Sequence, residues 1–173
     1  AGTAGSSGEP SVQLLGSGTI LREVLAAADL LFADYGVSCD VWSATSFTEL
    51  RRDGLAAERW NMLHPGSEPR RSYVTECLAG RPGPVIAATD YVKTFADQIR
   101  AFVPGRYRVL GTDGYGRSDY RRNLRRFFEV DRHYVALAAL TSLAADGAIP
   151  ADRVADAISR YGIDPDKADP AFT

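Results

Sequence analysis

The stretch over residues 108–119, RVLGTDGYGRSD, constrains the fold more than any other part of the chain. The short apolar run before it predicts the end of a buried strand, and three glycines then break that strand into a tight loop. A helix is predicted over residues 120–128, with Ser118 and Asp119 as its N-cap residues. Such a unit is typical of an open α/β sheet. Its loop lies at the carboxyl edge of the strands, where ligands or partner subunits bind.

Four predicted strands alternate with helical segments along the chain. The strands cover residues 12–15, 37–43, 85–89 and 107–110. The helices are predicted over residues 20–35, 48–63, 72–79, 93–103, 120–128, 131–145 and 151–161, followed by an extended tail. Near the end of the second helix we expect Trp60, Met62 and Leu63 to be buried. The alternation predicts an α/β fold, a three-layer α/β/α sandwich with a mostly parallel sheet.

The length and composition allow one globular core. The chain has 173 residues, of which 45% are hydrophobic and 24% charged. Residues 1–10, AGTAGSSGEP, are small and polar, which predicts a flexible linker or an expression remnant. Residues 11–173 are expected to form a single domain.

The overall charge and hydropathy exclude several classes of partner. A net charge of -2 and a pI near 5.7 give no electrostatic reason to expect nucleic acid. No apolar run approaches the roughly 20 residues that cross a bilayer, and the beginning of the chain does not resemble a signal peptide. We therefore expect a soluble, cytoplasmic protein without nucleic-acid or membrane partners. Cys39 and Cys77 are expected to be buried, reduced thiols, because neither has a CxxC or His-rich neighbourhood.

The sequence contains none of the spacings HExxH, Walker loop or GxSxG, so no catalytic, cofactor-binding or metal-binding residue is assigned. The GSG turn at residues 16–18 could hold a phosphate, but close strand–helix packing is the favoured interpretation. His64 could carry a proton near neutral pH, although a structural or interface role is favoured because no second His, Cys or acidic cluster accompanies it.

A dense set of arginines follows the glycine loop at helical spacing. It comprises Arg117, Arg121, Arg122, Arg125 and Arg126. One interpretation is a solvated face neutralised by Asp119, Glu129 and Asp131. The other is a docking face for an acidic partner or a neighbouring subunit, since arginine is enriched in interfaces.

Several long motifs carry a resemblance to a known family. GTDGYGRSD at residues 111–119, followed by NLRRFFEVD, is similar to the last domain of the homodimeric type of pyruvate dehydrogenase E1 component, a thiamine-diphosphate enzyme of the transketolase superfamily. DVWSATSFTELRRDGLAAERWNMLHP at residues 40–65 and VADAISRYGIDPDKADP at residues 154–170 agree, as do LLGSG at 14–18 and ATDYVKTFADQIR at 88–100. The likeness runs from about residue 12 to the end.

The resemblance implies a transketolase C-terminal-like domain with a structural and dimerisation role. The parent enzyme would decarboxylate pyruvate and transfer the acetyl unit to a lipoyl group on the E2 component. Thiamine diphosphate and Mg²⁺ would bind outside this chain, which would be inactive alone. Its partners would be the rest of the E1 chain, the homodimer mate and E2. The expected interface or loop residues are Asp113, Gly114, Tyr115, Gly116, Arg117 and Ser118, with Ser46, His64, Arg121 and Arg125.

Two other functions remain open at this point. The chain could be a stand-alone regulatory domain that binds an anion or nucleotide at the GSG turn and the glycine loop. It could also be an interaction module that binds E2 through its arginines. A parent acting on another 2-keto acid also remains open, because the residues that select the substrate would lie outside this chain.

Overall fold

The computed structural model describes residues 9–173, so most of the predicted linker over residues 1–10 lies outside the described residues. Four parallel strands form one sheet in the order β2-β1-β3-β4. They are β1 (Ser11–Gly16), β2 (Ser38–Ser43), β3 (Val85–Ala88) and β4 (Tyr107–Leu110). The register places Leu14 of β1 opposite Val41 of β2 and Ile86 of β3. The predicted parallel sheet is confirmed.

Seven α-helices accompany the sheet within the described part of the chain. They are α1 (Leu21–Tyr35), α2 (Phe47–Leu63), α3 (Tyr73–Leu78), α4 (Lys93–Asp97), α5 (Arg121–Phe127), α6 (Arg132–Ala145) and α7 (Asp152–Arg160). Short 3-10 turns cover Gly18–Ile20, Arg100–Phe102 and Pro170–Phe172.

Alternation along the strands divides the core into two layers, because successive side chains of a strand point to opposite faces. Val12 and Leu14 of β1 belong to the cluster that packs under α1 and α6. Leu15 belongs to the other cluster, which lies under α2, α3 and α4. Helices therefore cover both faces of the sheet, and the three-layer α/β/α sandwich is confirmed.

The principal helix ends follow from local chemistry. Helix α1 ends at Gly36, whose φ of 64° is the left-handed conformation that glycine adopts without a Cβ penalty. Helix α2 begins after Ser46, whose hydroxyl oxygen accepts a hydrogen bond from the Glu49 N–H. Helix α6 begins after Asp131, whose carboxylate accepts from the N–H groups of His133 and Tyr134.

Three local predictions are wrong. Residues 93–103 are not one helix, because the chain leaves α4 after Asp97 and forms a separate 3-10 turn at Arg100–Phe102. The N-cap of α5 is Tyr120, because the Asp119 carboxylate accepts from the Tyr120 N–H and the Asn123 side chain instead of capping the first turn. The tail is not extended throughout, since Asp169 caps the turn at Pro170–Phe172.

The predicted burial near the end of α2 is also wrong for two of its three residues. Met62 is 72% exposed and Leu63 is 51% exposed. Only Trp60 is partly buried, between its neighbours His64 and Arg70. The periodicity of a helix indicates an apolar stripe but does not say whether this chain supplies the surface that covers it.

Candidate functional site at the carboxyl edge of the sheet

The connections that leave β1 and β3 run in opposite directions across the sheet. β1 leads to β2 on one side, whereas β3 leads to β4 on the other, and β1 and β3 are neighbours. In open α/β sheets, the crevice outside the carboxyl ends of two such strands is where ligands bind. Here that crevice is bordered by the turn after β1, with Thr19, and by Asp90 after β3.

The glycine loop after β4 forms one side of this crevice, and part of it is packed tightly. A side chain at Gly111 would lie 2.7 Å from the Tyr91 carbonyl oxygen. Asp113 accepts a hydrogen bond from the Lys93 N–H at 2.7 Å, and its other carboxylate oxygen lies 3.7 Å from the Lys93 ammonium. Gly114 has a φ of 110° and abuts the carbonyl oxygen of Pro170. These three residues hold the loop in place.

The rest of the loop faces outward. Tyr115 is 79% exposed and Tyr120 is 84% exposed. Gly116, Arg117 and Ser118 are exposed between them. Large aromatic side chains left in solvent beside arginines are typical of contact surfaces.

A cleft of about 330 Å³ lies between the glycine loop and α5. Its polar lining comprises Thr19, Asp90, Thr112, Arg117, Arg121 and Arg125, with Gly114 and Gly116 on the loop side. The Thr19 hydroxyl donates to the Asp90 carboxylate at 3.2 Å, and the Thr112 hydroxyl donates to the Asp90 carbonyl oxygen at 2.9 Å. Sequence reasoning did not single out Thr19 or Thr112. The one sequence feature that could have indicated them is that each follows closely on the end of a predicted parallel strand.

The arginines have two different roles, which their spacing does not reveal. Arg125 pairs with Glu23 at 2.8 Å, and Arg132 pairs with the same carboxylate at 3.0 Å. Arg126 donates to the carbonyl oxygens of Tyr161 and Gly162. These contacts join α1, α5, α6 and the end of α7, so three of the cations stabilise the domain itself.

Glu23 lies in the first turn of α1 and is almost fully buried. Burial alone would raise the pKa of Glu23. The hydrogen bonds and charges of Arg132, with the charge of Arg125, outweigh burial and hold the pKa below its ordinary value. The carboxylate therefore remains ionised and fixes both arginines.

The other arginines are available to a partner or ligand. Within residues 9–173, neither Arg121 nor Arg122 forms an ion pair or a side-chain hydrogen bond. The Arg117 guanidinium lies 4.1 Å from the centroid of the Phe127 ring. This stacking orients the Arg117 side chain while it leaves the N–H groups at the guanidinium edge free to donate.

A larger apolar cavity of about 740 Å³ lies on the other side of the sheet, between α2 and α3. Trp42, Leu50, Tyr73 and Cys77 contribute to its lining, and Ser46 lies at its rim. Both cysteines are free and half-buried. Burial, with the charge of Asp40, raises the pKa of Cys39 to about 12, so that thiol stays protonated.

His64 does not join the carboxyl edge. It follows the last residue of α2, and a helix of 17 residues spans about 26 Å from the end that Ser46 caps. The His64 ring stacks on Trp60 at a centroid distance of 4.3 Å, and its Nδ1 lies 2.8 Å from the Trp60 carbonyl oxygen. His133 is separate from it and packs against Tyr161.

The described residues offer no ligand set for a metal ion. No group of three or more His, Cys, Asp or Glu side chains over residues 9–173 is arranged to hold one. No chemical step is assigned to these residues. No helix within the described range is long and apolar enough to span a membrane.

The fold and its motifs define a domain of the transketolase class. The chain belongs to the transketolase-like TK C-terminal domain family, whose model matches residues 3–131. A solved structure of a split-gene transketolase, an inactive β4 tetramer, has the same fold. The TM-score is 0.54 at 14% sequence identity, over 79% of this chain and 40% of that one.

Three similar proteins are pyruvate dehydrogenase E1 components. The chain is 66% identical to that of Pseudomonas aeruginosa over 160 residues, which is 92% of this chain. It is 61% identical to that of Cupriavidus necator over 165 residues (95% of this chain) and 57% identical to that of Escherichia coli K12 over 167 residues (96%). In each case the chain spans 18% of the relative's length.

Proposed function

We propose that the chain is the carboxyl-terminal part of a pyruvate dehydrogenase E1 component of the homodimeric type. The observation that carries the proposal is the 66% identity that extends over 92% of the chain but only 18% of the relative. The whole enzyme would decarboxylate pyruvate and transfer the acetyl unit to a lipoyl group on E2. It would act in the cytoplasm, as we expect from the sequence.

Thiamine diphosphate and Mg²⁺ belong, in this proposal, to the part of the enzyme outside this chain. Two carboxylates of the domain are engaged within it, since Asp113 accepts a hydrogen bond from the Lys93 N–H and Glu23 pairs with Arg125. The domain would contribute a rigid scaffold and a contact surface. Alone it would not turn over pyruvate.

The contact surface of the proposal is the outward part of the glycine loop with the start of α5. Tyr115 and Tyr120 are exposed there. Arg121 and Arg122, which form no ion pair within residues 9–173, are their neighbours in the chain. Covering exposed apolar area of this kind with another surface lowers the free energy, because the area is removed from water. The homodimer mate or the preceding part of the E1 chain would supply that cover. The loop over residues 43–48, at the rim of the larger cavity, would contribute on the other side of the sheet.

A chimera tests the proposal. The matching 160-residue segment of the Pseudomonas aeruginosa E1 component is replaced by this chain, and pyruvate-dependent acetylation of a lipoyl domain is measured together with the mass in solution. We expect a dimer that is active, whereas the same E1 component without the segment should be inactive. An inactive chimera of correct mass, or an active E1 component that lacks the segment, would contradict the proposal.

The contact surface is tested in that chimera by Tyr115→Ala combined with Tyr120→Ala. Both side chains are in solvent in this chain, so we expect its fold to be retained. We expect the dimer to be weaker, with a dissociation constant higher than that of the unsubstituted chimera. Phe32→Ala, which removes a 69% exposed aromatic from α1, is the matched control. An unchanged dimer affinity in the double variant would exclude these tyrosines from the interface.

Docking of E2 through the arginines is a second candidate, favoured by the absence of intramolecular ion pairs at Arg121 and Arg122 over residues 9–173. Arg121→Glu with Arg122→Glu should weaken capture of E2 by the chimera if this face binds it. Arg125 is unsuitable for that test, because its reversal would break the ion pair with Glu23.

A further inference from the structure

The cleft beside Asp90 combines a position, a shape and a charge distribution that the scaffold role does not require. It lies outside the carboxyl ends of β1 and β3, at the point where the strand connections diverge. Its volume of about 330 Å³ is sufficient for a small metabolite. All of its lining residues belong to this chain, so binding to the chain alone can be measured whether or not the E1 proposal holds.

The cleft lining includes three arginines. Arg121 has no ion pair or side-chain hydrogen bond within the described residues, and Arg117 is oriented by its stacking on Phe127. Arg125 adds positive charge, although it is shared with Glu23 and the Thr19 hydroxyl, 3.2 Å away. Guanidinium groups are suited to carboxylate and phosphate oxygens, which they bind with two parallel hydrogen bonds.

The lining also includes a carboxylate and two hydroxyl groups. The exposed Asp90 carboxylate receives one hydrogen bond, from Thr19, and forms no ion pair within residues 9–173. Thr112 is held beside it by its bond to the Asp90 carbonyl oxygen. A bare anion would be repelled by Asp90, whereas a ligand with a hydroxyl group could donate to that carboxylate.

The loop side lets a ligand approach the backbone. Gly116 has open space where a side chain would be, and Gly114 is held from behind by Pro170. The lining therefore offers Arg117 and Arg121 to an acidic group and Asp90 to a hydroxyl group of one ligand. We propose that this cleft binds a small hydroxylated organic anion, a phosphate or carboxylate whose acidic group faces Arg117 and Arg121 and whose hydroxyl donates to Asp90.

Calorimetric titration of the 173-residue chain tests the site. Glycerol 3-phosphate and lactate present a hydroxyl with a phosphate or with a carboxylate, and they distinguish the two acidic groups. Glycerol supplies the hydroxyl groups without an acidic group, and inorganic phosphate supplies an acidic group without the carbon-bound hydroxyl. We expect saturable one-to-one binding of at least one hydroxylated anion and weaker binding of both halves. Amide shifts in NMR spectra should be confined to the neighbourhood of Thr19, Asp90 and Gly116.

Two variants and one control make the test specific. Arg121→Gln should weaken the hydroxylated anion about tenfold, the usual effect of losing a charge-assisted hydrogen bond. Asp90→Asn should reduce the preference for the hydroxylated anion over inorganic phosphate, because it removes the carboxylate that repels a bare anion. Arg122→Gln removes the same charge one residue away, outside the cleft lining, and should leave affinity unchanged.

Three results would overturn the proposal. The first is that neither hydroxylated anion shows saturable binding at concentrations up to about 10 mM. The second is an equal loss of affinity in Arg121→Gln and Arg122→Gln. The third is a set of NMR shifts centred on another part of the chain. An effect of Arg121→Gln on assembly of the E1 chimera without any anion binding would assign the arginine to a protein contact instead.

Discussion

The carbonyl oxygen of Pro170 lies against the Cα atom of Gly114, so the last residues of the described chain close over the glycine loop. Lys167 supports this arrangement, since its ammonium donates to the Phe127 carbonyl oxygen at 2.7 Å and pairs with Glu129 at 2.9 Å. The segment over residues 161–173 thus connects α7, α5 and the loop that lines the candidate site.

Gly114→Ala should destabilise the protein by about 2 kcal/mol. The φ of 110° is strained for any residue with a Cβ, and that Cβ would collide with Pro170. Urea unfolding monitored by circular dichroism measures the change. Gly116→Ala, where nothing lies within contact distance, should stay within about 0.5 kcal/mol of the wild type. Equal effects of the two substitutions would contradict the assigned role of Pro170.

Removal of residues 167–173 should loosen the glycine loop without unfolding the sheet. The truncation deletes the Lys167 contacts and the Pro170 carbonyl, whereas the core clusters are made by earlier residues. Hydrogen exchange should accelerate over residues 111–117 and remain slow in β1 and β3. Removing only residues 172–173 is the control and should leave the loop protected. Unchanged exchange in the longer truncation would show that the tail does not hold the loop.

Glu23→Gln should cost about 3 kcal/mol at neutral pH, because it leaves Arg125 with little solvent and without its carboxylate. The folded-state pKa of Glu23 is lowered, so its stabilisation is present above the unfolded pKa and is lost as the pH falls through the folded value. The stability difference between wild type and variant should therefore shrink below about pH 4.5, the unfolded reference value. Unfolding midpoints from pH 7 to pH 3 measure it, with the exposed Glu58→Gln as control. A difference that stays constant with pH would exclude this ionisation.

Gly54→Ala should destabilise the protein by about 2 kcal/mol, although alanine is the better helix former. Gly54 is buried in α2, and a Cβ there would overlap the ring of Phe102. Phe102→Leu in the same chain should recover part of the loss, since a smaller side chain makes room. Thermal unfolding of the single and double variants measures the coupling, and strict additivity would refute the contact.

The alternation of strands and helices was predictable, because each element carries its own periodicity. Val12 and Leu14 alternate with Gln13 in β1, and the start of α2 is encoded at Ser46. The family was predictable for the same reason, since its motifs are linear patterns in the sequence. What failed locally were helix ends such as the one at Asp97, where short-range preferences are weak and tertiary packing decides.

The candidate site was predictable only in part. The glycine loop and its arginines were found from sequence, but their spacing could not separate Arg125, which is committed to Glu23 across 102 residues, from Arg121, which has no ion pair in the described chain. Thr19 and Asp90 lie 71 residues apart and meet only because β1 and β3 are neighbours.

The amino-acid sequence by itself determined the class of fold, the parallel strands and the family, because periodicity, caps and motifs are local properties of the chain. Only the tertiary structure decided the strand order, the cleft between β1 and β3, the contact of the tail with Gly114 and the exposure of Met62. These four features depend on which distant segments pack together. The free energy that selects one packing is a sum over the whole core, so no single residue of the sequence reveals it.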